Sequence, residues 1–182
     1  MKKIILASLL AMSYSLAANL DTNKIQMYWE SYKTSLKVPV KGSFADIKYK
    51  FGKQDGISGA LLGATAKINL GTVITGNPTS EQNLTQGFFQ HFASKDIRVK
   101  IEQVMEGKDQ GTLLAKITMN KKSQLIPMQY TIKEGTLVAK GVLDVRSFRL
   151  DQALESLAKL CESLHEGFTW SQVEIGFTIP LK

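Results

Sequence analysis

The sequence predicts an all-β fold: eight antiparallel strands curled into a barrel, with two helices in the connections between strands. Three observations carry this expectation. Apolar residues alternate with polar ones at period two in eight separate segments. Gly-containing clusters such as Gly52-Lys53-Gln54-Asp55-Gly56, Glu106-Gly107-Lys108-Asp109-Gln110-Gly111 and Glu134-Gly135 lie between segments, as hairpin turns do. Two further segments repeat at helical spacing instead. Closing such a sheet on itself removes its exposed edges. A half-open barrel covered by helices is the alternative that the same pattern allows.

The chain opens with Met1-Lys2-Lys3, a short basic start, followed by the apolar run Ile4 to Leu16 and the small residues of Ser15-Leu16-Ala17. This is the pattern of a cleavable signal peptide over residues 1–17, cut after Ala17 or Ala18. The expected destination is the periplasm or the outside of the cell. The run is shorter than the roughly 20 residues of a bilayer span, so no transmembrane segment is expected in the mature protein. Residues 18–182 then form one barrel domain of about 165 residues, enough to bury roughly 70% of the unfolded surface. With a single cysteine in the chain, no internal disulfide is available. Cys161 falls on the apolar side of a predicted helix and reads as a buried small hydrophobe.

The strands follow in order. Ile25, Met27 and Trp29 alternate with Lys24, Gln26, Tyr28 and Glu30. Val38, Val40, Gly42 and Phe44 form the second, whose phase slips at Ala45-Asp46 before Ile47, Tyr49 and Phe51 resume; a slip of one residue is what a β-bulge produces. The third runs from Ala60 to Leu70 through Leu62, Ala64, Ala66 and Ile68. Asn77-Pro78 is a helix start, with the cap residue before a proline at the first position, and opens a segment carrying Leu84, Phe88, Phe89 and Phe92. Four more strands come next: Ile97, Val99 and Ile101; Leu113, Ala115, Ile117 and Met119; Ile126, Met128, Tyr130 and Ile132; Leu137, Ala139, Gly141, Leu143 and Val145. A second helix is expected from Phe148 to His165, with Leu150, Leu154, Leu157, Ala158, Cys161 and Leu164 at three-to-four spacing and Gly167 as its stop. Val173, Ile175, Phe177 and Ile179 make the eighth strand.

Charge and chemistry exclude more than they assign. The net charge is +7, but the positive residues are spread along strand faces among carboxylates. Lys121-Lys122 and Lys48-Tyr49-Lys50 are the clusters, and aromatic interleaving is thin. This reads as a solvated exterior with a weak attraction to anionic lipid, and no nucleic-acid partner is expected. His91 and His165 are far apart in sequence, the serines form no nucleophile elbow, and Gly59-Ala60-Leu61-Leu62-Gly63 lacks the Lys and Ser/Thr of a phosphate loop. No catalytic residue, metal site or cofactor is expected, and the protein reads as a non-enzyme.

What remains is the barrel's inside. Eight strands enclose a lumen that side chains can just fill or that can hold one small ligand. Gly42, Ala60, Ala64, Ala66, Ala115, Ala139 and Gly141 are small residues in the inward set, and Trp29, Phe44, Met119, Met128, Tyr130 and Phe177 would form an apolar, adaptable wall. Large neighbours filling the space and a ligand filling it remain equal readings of the composition.

Several blocks, in their order, carry a family resemblance: Asp21 leading to Trp29; Val40-Lys41-Gly42-Ser43-Phe44; Ala64-Thr65-Ala66-Lys67-Ile68-Asn69-Leu70 with Val73-Ile74-Thr75-Gly76-Asn77; Leu84 with Gly87-Phe88-Phe89; Ile126-Pro127-Met128 with Leu137-Val138-Ala139-Lys140-Gly141. Together they resemble the YceI-like family of secreted lipid-binding proteins. The chain departs from that pattern at Asn23-Lys24, where the family has His-Ser, at Ser80-Glu81, where it has Arg-Asp, and across Ile117 to Ser123. The resemblance implies a lipocalin-like eight-stranded barrel, a homodimer, and a lumen that holds a long-chain amphiphile such as a polyisoprenoid, fatty acid or fatty amide. The lumen and lid candidates are Trp29, Phe44, Leu62, Ala64, Ala66, Ile68, Phe88, Phe89, Phe92, Val99, Ile101, Ile117, Met119, Met128, Tyr130 and Phe177. Two rival expectations are a periplasmic carrier of lipoprotein acyl chains on a half-open barrel, and a lipid-modifying enzyme with a polar cluster inside.

Overall fold

A computed structural model describes residues 19–182; the expected signal peptide lies outside the described residues. The strands are β1 (Gln26–Lys33), β2 (Val38–Phe44), β3 (Ile47–Lys50), β4 (Thr65–Asn69), β5 (Val73–Ile74), β6 (Asp96–Glu106), β7 (Gln110–Met119), β8 (Lys122–Lys133), β9 (Thr136–Asp144) and β10 (Gln172–Pro180). The helices are α1 (Gly56–Leu61), α2 (Pro78–Gly87), α3 (Asp151–Leu160) and α4 (Glu162–His165). The strands form one curled, barrel-like antiparallel sheet in the order β3-β4-β6-β7-β8-β9-β10-β1-β2-β5.

Ten strands replace the expected eight because one expected strand breaks in two and a short strand follows another. The second breaks at Ala45-Asp46, where its phase slips, into β2 and β3. The third ends as β4 at the 3-10 turn Leu70–Thr72, and β5 resumes the chain beyond the expected end at Leu70. The two kinks are bonded to each other. Asn69 N–H donates to the Asp46 carbonyl at 3.0 Å, and Ala45 N–H to the Thr72 carbonyl at 2.8 Å. The Asn69 side-chain oxygen accepts from Gly71 N–H at 3.1 Å, and the Thr72 hydroxyl donates to the Asn69 carbonyl at 2.8 Å. Asn and Thr side chains that bond nearby backbone offer it an alternative to the ladder, which ends the strand locally.

The third strand was also expected to start too early. Ala60 to Leu62 continue the alternation on paper, but Ile57, Ala60 and Leu61 also stand at i, i+3 and i+4, and this helical spacing wins as α1. The Glu106 carboxylate accepts from Ser58 N–H at 2.9 Å and the Ser58 hydroxyl at 2.6 Å, satisfying an amide of the first turn. Gly52 and Gly59 let the incoming loop lie against the helix: a Cβ on Gly59 would stand 2.7 Å from the Gln54 carbonyl carbon. The second expected helix is also interrupted. Phe148 belongs to a 3-10 turn (Val145–Phe148), and Cys161 separates α3 from α4.

Elsewhere local chemistry sets the register. Asn120-Lys121 and Glu134-Gly135 all have positive φ (50°, 57°, 49° and 70°), as two-residue hairpins of the primed type require. They join β7 to β8 and β8 to β9, where Met119 faces Lys122 and Lys133 faces Thr136. Side chains alternate in and out along every long strand. The strand directions give the molecule two ends. At one end α1 buries Ile57 and Leu61, each 1% exposed, in the core cluster that also holds Leu113, Tyr130, Leu137 and Ile179. Burying two such side chains contributes about 3–6 kcal/mol. At the other end α2 and α3 lie across the opening.

Candidate functional site

The half of the interior beneath α2 and α3 is hollow. Its cavity measures about 170 Å³, counted as room for the centres of water-sized guests. One water needs roughly 10–15 Å³ by that measure. The period-two faces of the strands build the walls: Met27, Trp29 and Ser31 from β1, Phe44 from β2, Ile68 from β4, Ile97, Val99 and Ile101 from β6, Ala115, Ile117 and Met119 from β7, Met128 from β8, Leu143 from β9, and Val173, Ile175 and Phe177 from β10. Leu84 of α2, Leu154 and Leu157 of α3, and Phe88, Phe89 and Phe92 close the roof.

Asn77 starts the roof. Its side chain accepts from Ser80 N–H at 3.0 Å, with Pro78 at the first helical position. Glu81 accepts from Thr75 and Gly76 N–H at 2.8 and 3.1 Å, so it ties the turn that precedes the helix. Beyond α2 the three phenylalanines pack edge-on within 5.1–5.6 Å of each other, and Phe89 reaches Phe44 at 5.9 Å. Gly87 allows the close approach of α2 to α3, since a Cβ there would stand 3.1 Å from Leu157 Cα. His91 Nε2 lies 2.9 Å from the Ser156 hydroxyl and links the roof's two parts. Asn120, in the β7–β8 turn, holds both ends of the roof: its carbonyl oxygen accepts from Ala93 N–H at 2.8 Å, and its amide donates to the Phe148 and Arg149 carbonyls at 2.9 and 3.2 Å.

The cavity is lined almost wholly by apolar surface, and its few polar side chains gather on one side. Its polar side chains, Tyr28, Ser31, Ser43 and Thr169, stand on β1, β2 and the segment entering β10, while the wall from β6 to β9 is aliphatic or methionine. Ser43 is satisfied by donating to the Met27 carbonyl at 2.6 Å, and Trp170 Nε1 by donating to the Thr34 carbonyl at 2.9 Å. Trp29 Nε1 and the Thr169 hydroxyl are buried without a partner. The Trp29 ring lies over Gly42, whose missing side chain is a requirement: a Cβ there would be 2.7 Å from Trp29 Cε2 and 2.6 Å from the Ile74 carbonyl oxygen. Among the described lining residues none is Asp, Glu, Lys, Arg, His or Cys.

The structure places Trp29, Phe44, Ile68, Phe88, Phe89, Phe92, Val99, Ile101, Ile117, Met119, Met128 and Phe177 on this cavity. Four expected lining residues lie elsewhere. Leu62 follows α1 and is 55% exposed, because the helix ends the alternation that would have turned it inward. Tyr130 and Ala64 are buried in the core and do not line the cavity, and burial pushes the Tyr130 hydroxyl pKa up. Ala66 faces inward opposite Val99 and Tyr49, but it is buried and stops short of the cavity. Periodicity missed Tyr28, Ser43 and Gly176, which fall on the other phase of their strands, and Thr169 and Trp170, which precede β10 and join the wall through Trp170 N–H donating to the Tyr32 carbonyl at 3.1 Å. Cys161 is buried, and burial pushes its thiol pKa up.

No protein-family model matches the sequence, and no curated protein matches it. Solved structures do share its fold. A polyisoprenoid binding domain from Saccharophagus degradans, implicated in plant cell wall breakdown, superposes with a TM-score of 0.63 at 15% identity, covering 91% of this chain and 98% of that one. BcnA of Burkholderia cenocepacia superposes at 0.60 with 14% identity, covering 88% and 98%. The Campylobacter jejuni YceI protein superposes at 0.55 with 15% identity, covering 79% and 85%. At such identities the likeness is one of fold, and the chain has the YceI-like fold that its sequence resemblance implies.

Proposed function

From the YceI-like fold and its half-hollow interior, we propose that this protein binds one long-chain amphiphilic lipid in the cavity beneath α2 and α3, and sequesters or carries it in the periplasm or outside the cell. The observation that carries this reading is the blind apolar cavity, walled by β-strand side chains and roofed by three phenylalanines. The polyisoprenoid binding named for the Saccharophagus degradans domain supports the ligand class. Absence of ionisable acid–base groups other than Tyr28 from the described lining favours holding a lipid over modifying one. The signal-peptide pattern of residues 1–17 supports export, and the family resemblance supports a homodimer.

Magnitude selects a long tail. Each buried methylene contributes about 0.8 kcal/mol. Six carbons give roughly 5 kcal/mol gross, inside the 4–15 kcal/mol that immobilisation costs, and about twenty give roughly 16 kcal/mol. The ladder favours a closed lumen over a half-open one. Counting β2 with β3 and β4 with β5 as single kinked strands, each of eight strands pairs with two neighbours, and β10 pairs with β1.

Native mass spectrometry of the protein, before and after organic extraction, tests this. The expected result is a bound species of lipid mass that extraction removes and that long-chain lipid restores. Ala115→Phe, which places a ring in the cavity from a site now 0% exposed, should abolish reloading at about 1–3 kcal/mol of stability. Protein that neither carries nor takes up such a lipid would sink the reading.

A further inference from the structure

The solvent side of β3, β4, β6 and β7 carries an array of cations that strand register assembles, with Lys48 and Lys50 the two already close in sequence. Register sets Lys48 opposite Lys67 and Lys67 opposite Arg98. Two residues along, Lys100 stands opposite Lys116, and Lys50 is in line with them across Thr65. All six cations are exposed, and a shallow concavity runs among them. Carboxylates answer half of the array. Asp96 pairs with Lys67 at 3.2 Å and with Arg98 at 3.1 Å, and Glu102 pairs with Lys100 at 3.0 Å. Among the described residues no carboxylate forms an ion pair with Lys48, Lys50 or Lys116.

Like charges directly opposite on neighbouring strands destabilise a sheet. Solvation alone would be served as well by alternating signs, yet three opposed pairs here are cation on cation. An anionic partner relieves that repulsion. We propose that this wall docks on the headgroups of an anionic bilayer. Charge complementarity carries this: the cations lie on four adjacent strands, within about 14 Å across the sheet at the usual strand spacing, close enough to face several anionic headgroups at once. Tyr49 is the one aromatic residue lining this concavity, and it stacks on Phe51 at 6.1 Å, so the wall lacks the run of free aromatic faces on which successive nucleic-acid bases stack. Topology adds a reason for the location. β4 leads through β5 and α2 to the phenylalanine roof, and β6 leaves from it. A bilayer lying against this wall therefore runs alongside the roof through which a lipid would enter. That last step rests on the proposed lipid binding; the charge array does not.

The test is co-sedimentation with vesicles of phosphatidylcholine alone, or with one-third phosphatidylglycerol, at about 0.1 M salt, where the screening length is about 10 Å. The variant combines Lys48→Gln, Lys50→Gln and Lys116→Gln, none of which touches the cavity. The expected result is binding of the wild type to the anionic vesicles, about a hundredfold weaker for the triple variant, with an equal or higher melting temperature for the variant. Equal partition of the two proteins, or tighter wild-type binding to duplex DNA than to the vesicles at the same salt, would overturn the docking face. Lipid extraction of the same samples separates the two ideas. A loaded cavity without vesicle binding overturns the docking face alone, and vesicle binding by a protein with no lipid supports it while removing the cavity function.

Discussion

Trp29 carries an unmet polar demand inside the cavity. Its N–H is buried without a partner, in a wall with no charged side chain. Native proteins seldom leave such a donor unpaired, because the desolvation costs about 1–3 kcal/mol. The chemistry that answers it is a neutral acceptor oxygen, as in an ester, amide or alcohol; a carboxylate would add a buried charge with no cation to meet it. Trp29→Phe keeps the ring and removes the donor. In displacement of an apolar dye it should weaken a C16 methyl ester about five- to tenfold and leave hexadecane unchanged. Equal losses for both ligands would mean that the ring alone matters. Trp29 was legible as an inward residue because alternation is local, but its orphaned N–H was not, since a partner can come from any strand.

At the level of elements, the roof is a jointed piece held at its ends. Asn120 bonds the exit of the phenylalanine segment and the entrance to α3 at once. Asn120→Ala should remove about 1–2 kcal/mol, speed exchange of the Ala93 amide, and raise the lipid release rate. Unchanged exchange would show that the phenylalanine cluster holds the roof by itself. Asn77-Pro78 announced α2 because capping is written in adjacent residues. The position of α1 was missed, since Ile57 to Leu62 fit a strand and a helix alike until the barrel's end supplies a hole for Ile57 and Leu61. The break at Leu70–Thr72 was missed because it depends on Asn69 meeting Asp46 from a distant strand.

For the whole molecule, the cavity beneath the roof decides how stability should respond to ligand. The α1 end buries Ile57 and Leu61 in the core, and the roof end keeps a cavity whose lining lacks dispersion partners when empty. A lipid that binds the folded state alone, at a free concentration 100 times its dissociation constant, adds about 2.7 kcal/mol. For a domain of this size that raises the melting temperature by about 5–10 °C. Scanning calorimetry of extracted and reloaded protein measures it, and no upward shift at saturating lipid would count against a site shaped by folding.

The sequence by itself determined most of the inward positions of the long strands, where α2 begins, and that the interior is mainly apolar; period, capping and residue type are properties of neighbours along the chain. Tertiary structure alone decided which half of the interior stays open, which residues leave the lining, and that six scattered cations meet on one wall. Those outcomes depend on strand register and on where a helix can seat its side chains, and both are set by residues tens of positions apart.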